Sequence, residues 1–210
     1  MTTTKIDYKR ERPQLYAPRA EPTIVDVPEL AFLMIDGHGD PNTAVAYREA
    51  VETLFAVSYA AKFVVRRSAG GVDFAVMPLE GLWWVPDISL FTIDDKSDWS
   101  WTAMIMQPAP VTPEVIEVAR QKAAAKKPRP ALELLRFERF HEGLAAQVMY
   151  RGPYADEGPT IAQLHEFITD RGYEPTGRHH EIYLGDPRRS APQKLRTIIR
   201  QPIASDRRRG

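Results

Sequence analysis

Of the residues in this chain that could do chemistry, one glutamate stands out by its setting. Glu181 lies in the run Arg178-His179-His180-Glu181-Ile182-Tyr183-Leu184-Gly185-Asp186-Pro187. Its β-branched, aromatic and aliphatic residues stop abruptly at turn formers, which reads as a short strand closed by a Gly-Asp-Pro turn. Strand side chains alternate, so His179, Glu181 and Tyr183 share one face while Ile182 and Leu184 share the other. On a solvated face Glu181 is an ordinary surface charge. On a face lining an aromatic cavity it becomes the anchor for a cationic ligand or the base of a reaction.

Other chemistries find less support. His179 and His180 point to opposite strand faces and no His-Glu-x-x-His pattern occurs, so no metal site is expected. Gly37-His38-Gly39-Asp40 lacks the lysine and the glycine spacing of phosphate and dinucleotide loops, and there is no Gly-x-Ser-x-Gly elbow. Arg188 and Arg189 read as a solvated loop, with an acidic-ligand role as the alternative. No cofactor is implied. Trp83, Trp84 and Trp101, with Tyr59, Tyr150 and Tyr183, supply aromatic faces that can sandwich a flat ligand or favour a cation. Core packing competes for each of them, and Trp83 and Trp84 cannot share a face if their segment is extended.

Composition bounds the setting. The chain has 210 residues, 28 basic and 28 acidic side chains and no cysteine. Balanced charge offers no overall field for nucleic acid or a membrane, and the lack of thiols removes disulfides and thiolate chemistry. No apolar run approaches the roughly 20 residues that cross a bilayer. Met1-Thr-Thr-Thr-Lys5 lacks the apolar segment of a secretory signal, so a cytoplasmic location is expected. The tail Asp206-Arg207-Arg208-Arg209-Gly210 reads as solvated.

The elements that must position Glu181 come in two similar series. Residues 1–22, with Pro13, Pro18 and Pro22, read as an extended arm. In the first series Ala31-Phe-Leu-Met-Ile35 is a strand ended by a turn over Asp36 to Asn42. A helix follows from about Thr43 to Arg66, with Tyr47, Val51, Leu54, Phe55 and Ser58 on one side. Val72-Asp-Phe-Ala-Val-Met77 reads as a strand, then a Trp-rich loop, then a strand from Trp101 to Gln107. In the second series Ala145 to Tyr150 is a strand ended by Arg151-Gly152-Pro153. Asp156-Glu157-Gly158-Pro159 opens a helix with apolar residues Ile161, Leu164 and Ile168; the Glu181 strand and a strand from Leu195 to Gln201 complete it. Thr112 to Lys127 reads as a connecting helix. Both series run strand, turn, helix, strand, strand and finish on Gln-Pro. A duplicated β-α-β-β module predicts an α+β fold with antiparallel sheets and a ligand cleft between the modules.

Several segments in order resemble the GyrI-like small-molecule-binding superfamily. They are Phe32 to Asn42, Leu54 to Lys62, Pro78-Leu-Glu-Gly-Leu-Trp-Trp84, Gly152-Pro-Tyr-Ala-Asp-Glu157, and His180 to Pro192 with Leu195-Arg-Thr197. The match spans about residues 5–203, and the standalone branch is the most similar. The resemblance implies a pseudo-twofold pair of SHS2-type modules around a central aromatic pocket. In drug-sensing regulators of this superfamily a pocket glutamate meets lipophilic cations; some standalone members open the cyclopropane of DNA-alkylating cyclopropanoid toxins. The stretch before residue 30 is too short for a helix-turn-helix, so the regulator role is not expected here.

With that resemblance, Glu181 and Glu157 are the carboxylates expected in the pocket, Glu157 having a helix-start charge as its other reading. Tyr59, Trp83, Trp101, Tyr150 and Tyr183 are the expected ligand-binding aromatics. A buried carboxylate can accept or deliver a proton near neutrality, as water-driven opening of an activated cyclopropane requires. The expected organisation is an arm (1–22), one domain (23–203) with modules at about 30–108 and 133–203 joined by the helix at 112–127, and a basic tail (204–210). The expected partner is a flat lipophilic small molecule, cationic or electrophilic, which the protein either hydrolyses, sequesters or senses on behalf of a regulator.

Overall fold

A computed structural model of the chain describes residues 5–85, 96–186 and 188–205. The first four residues of the arm, Pro187 of the Gly-Asp-Pro turn and the Arg cluster of the tail lie outside the described residues. Two short helices, α1 (Tyr8–Glu11) and α2 (Pro13–Tyr16), precede β1 (Thr23–Val27), β2 (Leu30–His38), the long helix α3 (Val45–Arg67), β3 (Leu79–Trp84) and β4 (Ser100–Gln107). After the connecting helix α4 (Pro113–Lys126) come β5 (Arg136–Phe140), β6 (Gly143–Arg151), α5 (Gly158–Asp170), β7 (Tyr173–Pro175), β8 (His179–Tyr183) and β9 (Arg196–Ser205).

The strands form one antiparallel sheet in the order β1-β6-β9-β8-β3-β4-β2-β5, with β7 added against β9. Outward from the central β8–β3 pair, β9, β6 and β1 mirror β4, β2 and β5. The duplication is therefore real and is larger than β-α-β-β, because each half begins with a strand that pairs across the molecule: β1 on β6, β5 on β2. Among the described residues the two halves form one sheet and not two. β3 and β8 pair directly, Leu79 to Trp83 against Tyr183 to His179, so the halves share one continuous ladder.

The strands rich in consecutive apolar residues are those buried on both faces, as β2 shows with Phe32, Leu33, Met34 and Ile35. One face is covered by α3 and α5, and α4 packs on α3. On α3 the residues Ala50, Leu54, Val57, Ala61 and Val65 recur at helical spacing and are buried, which docks the helix on β2 and β4. The other face is covered in part by the arm, whose Leu15 and Tyr16 are buried.

Two boundaries depart from the sequence reading. β2 continues to His38, so Asp36 and Gly37 belong to the strand and not to the turn. Residues 72–77 form no ladder strand; Phe74 makes a single parallel bridge to Ile6, and the buried Lys62 ammonium holds the segment by binding Asp73 and the Phe74 carbonyl. The strand lies one step later, at Leu79–Trp84.

Candidate functional site

β8 projects His179, Glu181 and Tyr183 onto the helix-covered face. The His179 Nε2 lies 3.2 Å from one Glu181 oxygen, and the Tyr183 hydroxyl donates to the other at 2.7 Å. Across the central pair, Glu181 faces Gly81 and His179 faces Trp83. A Cβ on Gly81 would lie 2.9 Å from the Trp83 indole, so the missing side chain lets that ring lie on the sheet beside Glu181. Gly37 does the same for Trp101: they are cross-strand partners, and a Cβ would come within 2.2 Å of its ring.

The other walls come from chain segments distant in sequence. Tyr47, in the first turn of α3, stands edge-on to Trp101 at 5.0 Å and tilted against Trp83 at 5.7 Å, and Trp83 meets Trp99 at 5.7 Å. Tyr154, in a 3-10 turn before α5, packs edge-on against Tyr183 at 5.4 Å. Glu157 follows at the N-cap of α5 but caps nothing: its side chain is buried and its Oε1 has no hydrogen-bond partner among the described residues. The Trp83 and Trp101 indole N–H groups and the Thr197 hydroxyl are likewise buried without partners there. Lys96, half-buried, holds its ammonium 4.7 Å above the Trp99 ring.

The two carboxylates are pushed apart electrostatically. Burial and then the charge of Glu181 raise Glu157 to about 8, opposed by Thr197 and Lys96. The Thr197 hydroxyl sits beside Glu157 without a hydrogen bond of ordinary geometry. Burial also pushes Glu181 up, but the hydrogen bond and charge of His179, then Tyr183 and Lys96, outweigh it and hold the carboxyl below its ordinary value. At neutral pH Glu181 is an anion and Glu157 a neutral acid. Burial followed by the Glu181 charge raises both Tyr47 and Tyr183, and burial followed by Glu157 raises Tyr154 to about 12, so all three hydroxyls stay protonated.

Glu181, Glu157, Trp83, Trp101 and Tyr183 are thus brought together. Tyr150 is near but engaged elsewhere: its hydroxyl donates to the Pro153 carbonyl at 2.8 Å, which fixes the turn carrying Tyr154 and Glu157. Tyr59 is not part of the cluster. It is half exposed, stacks on Phe55, and lies twelve residues along α3 from Tyr47, or about 18 Å at 1.5 Å per residue. Trp84 points to the opposite sheet face, where Arg178 stacks 3.6 Å from its ring centroid. Sequence reasoning missed Tyr47, Tyr154, Trp99, Thr197 and Lys96. Tyr47 lay on the recognised helix stripe, and Tyr154 and Thr197 lay in segments that carry the family resemblance; Trp99 and Lys96 had no sequence signal. Two surface grooves, of about 240 and 310 Å³, lie away from the cluster, at Phe63 and Val118 and at Phe140 and Arg178.

Comparison with known proteins identifies the family and the fold. A family model described as a GyrI-like small molecule binding domain matches residues 20–204. A solved structure of an uncharacterized conserved protein from Listeria innocua is 41% identical with a TM-score of 0.88, matching 95% of this chain and 100% of that one. A hydrolase from Listeria innocua is 39% identical with a TM-score of 0.86, matching 96% of this chain and 100% of that one. The EcmrR C-terminal domain, at 12% identity and a TM-score of 0.54 over 88% of this chain and 98% of that one, shares the fold alone. No match was found among the curated proteins.

Proposed function

Because the chain belongs to the GyrI-like small-molecule-binding family, we propose that the buried cluster takes up a flat, lipophilic electrophile and hydrolyses it, opening an activated cyclopropane by addition of water. The observation that carries this reading is the split between two neighbouring buried carboxylates, Glu181 ionised and Glu157 raised to about 8, under a roof of aromatic rings. Groups pushed apart in this way are suited to act as base and acid in one turnover. A similar Listeria protein described as a hydrolase lends support.

In the proposed reaction, Glu181 takes a proton from water as its oxygen attacks the strained ring carbon. The ring C–C bond breaks, its electrons pass to the conjugated carbonyl, and Glu157 supplies a proton to the resulting enolate. Water is added, and the proton gained by Glu181 replaces the one given by Glu157. Trp83, Trp101 and Tyr47 hold the flat ligand, Tyr183 and His179 hold Glu181 in position, and Tyr150 holds the Glu157 turn. The Trp83 and Trp101 N–H groups, buried and unpartnered among the described residues, are available to a ligand oxygen.

The test is incubation with a cyclopropane-bearing DNA alkylator, with product followed by mass spectrometry. The ring-opened water adduct is expected, and Glu181→Gln is expected to slow its formation by about 10²–10⁴-fold, the usual contribution of a general base, while binding persists. Stoichiometric binding without product by the wild type would leave a sequestering protein. An unchanged rate in Glu181→Gln would remove Glu181 from the chemistry.

A further inference from the structure

We propose that Lys96 determines the specificity of this site: it is a tethered cation that takes the place a cationic ligand would occupy, and so selects neutral molecules that carry an acceptor oxygen. This rests on the reading of the cluster as the ligand site and narrows its ligand class.

An aromatic cage next to a buried carboxylate is the arrangement that recognises lipophilic cations, since ring faces and anion both attract positive charge. Here a cation already sits over one ring of the cluster, Trp99. The Lys96 backbone is fixed just before β4, where the Trp99 N–H donates to the Lys96 carbonyl at 3.2 Å and the Trp99 carbonyl accepts from Gly39 at 2.8 Å. From that turn the ammonium reaches over the Trp99 ring, which itself lies against Trp83. Its charge is felt by both Glu157 and Glu181. Among the described residues, its charge reaches Glu181, an ionised carboxylate, and Glu157, a neutral carboxylic acid, with the Trp99 indole directly beneath it. Counting Glu181 and Lys96 alone, the site is neutral, so an entering cation meets a like charge where an entering carbonyl meets a donor.

A second observation points the same way. The Trp83 and Trp101 indole N–H groups are buried and without partners among the described residues, and the Trp83 nitrogen lies over Gly81, the cross-strand neighbour of Glu181. Buried donors without partners are costly, and the cost is recovered by a ligand that accepts from them. A quaternary ammonium or phosphonium sheathed in hydrocarbon has no oxygen to offer. A flat ketone or quinone-like molecule does.

Three biphenyls of one size separate the contributions: 4-trimethylammonio-, 4-tert-butyl- and 4-acetylbiphenyl, titrated by tryptophan fluorescence into wild type, Lys96→Met and Lys96→Arg. Lys96→Met is expected to bind the trimethylammonium probe about tenfold or more tighter, as removal of a like charge at close range implies. Its affinity for the tert-butyl probe should hardly change and its affinity for the acetyl probe should fall. Lys96→Arg should behave as wild type. A cation affinity unchanged in Lys96→Met, or an equal shift for all three probes, overturns the proposal. Trp83→Phe, checked by its melting temperature, separates this from failure of the site itself: if it leaves all three affinities unchanged, or no probe binds wild type, the cluster is not the ligand site and Lys96 loses its role with it. If Trp83→Phe weakens binding while Lys96→Met leaves the order of the probes unchanged, only the Lys96 inference falls.

Discussion

His180 and Glu181 are adjacent on β8 and both are buried, yet they look out on opposite kinds of polar environment. On the arm side, His180 places Nδ1 2.9 Å from Glu142 and Nε2 3.1 Å from Glu80. With a carboxylate at each nitrogen, both must donate, so the ring is an imidazolium. Arg200 donates to Glu142 at 3.1 Å, to Gln147 at 3.0 Å and to the Leu15 carbonyl at 2.8 Å, and the Tyr16 hydroxyl donates to Glu80 at 3.1 Å. Two positive and two negative charges close a network in which each group has a partner. Burial lowers His180, but the charge and hydrogen bonds of Glu142 and Glu80 prevail and raise it to about 9; burial raises Glu142, but His180 and Arg200 bring it down to about 2. On the helix side, Glu157, Thr197, Trp83 and Trp101 keep buried polar atoms without partners among the described residues. Satisfied charge fastens the arm to the sheet; unsatisfied polarity characterises the proposed ligand site.

The sharpest way to break this comparison is to open the arm network. Arg200→Met leaves Glu142 facing His180 alone and should cost about 3–5 kcal/mol, the usual result of removing one partner of a buried pair. For a chain of this size that lowers the melting temperature by about 10 °C. Calorimetry should show the loss, while ligand affinity and turnover of the molecules still folded at 20 °C stay near wild type. If activity vanished with a small change in stability, the two faces would not be separable into fastening and function.

The reverse experiment disturbs the proposed ligand face alone. Gly81→Ala sets a methyl 2.9 Å from the Trp83 indole, and relieving that overlap should cost about 1–3 kcal/mol. The ring must leave its position beside Glu181, so ligand affinity should fall together with a change in tryptophan fluorescence. A melting temperature that falls with affinity intact would show that Trp83 serves packing alone.

Much of this contrast was legible in the sequence, and the remainder was hidden for physical reasons. The period of two assigned His179, Glu181 and Tyr183 to one face and His180 to the other. The continuous apolar runs of β2, β4, β6 and β9 gave the buried strands, and the two series gave the duplication. β3 was hidden because Glu80 and Gly81 look like loop residues; each is explained only by a partner from another element, Glu80 by Tyr16 and His180, Gly81 by the Trp83 ring. Residues 72–77 have a strand's composition but are held through Lys62. The edge strand β5, Arg136–Phe140, alternates with charge and pairs with the opposite half of the chain, which no local pattern reveals. Tyr47 and Tyr59 were equivalent as aromatics of one helix; only docking packs the first, partly buried, against Trp83 and Trp101 and leaves the second half in solvent.

The gentlest test uses pH to weaken the two faces in different windows. Glu157 is raised from 4.5 to about 8, so its neutral form is the one the fold prefers: its contribution to stability is complete below pH 4.5 and is lost as the pH climbs through about 8. His180 is raised from 6.5 to about 9, so the arm network is at full strength below pH 6.5 and is lost as the pH passes about 9. If Glu157 is the acid of the reaction, turnover should fall about tenfold per pH unit above about 8, and fall again in acid only below the ordinary range of a carboxylate, where Glu181 takes up its proton. Glu157→Gln should be slower throughout but lose the alkaline fall in rate, and its melting temperature should decline between pH 6 and 9 by less than that of the wild type, since only the His180 share remains. An alkaline fall that persists unchanged in Glu157→Gln would move the titrating group to another residue, His180 first among them, and would mean that the fastening face governs the chemistry of the other.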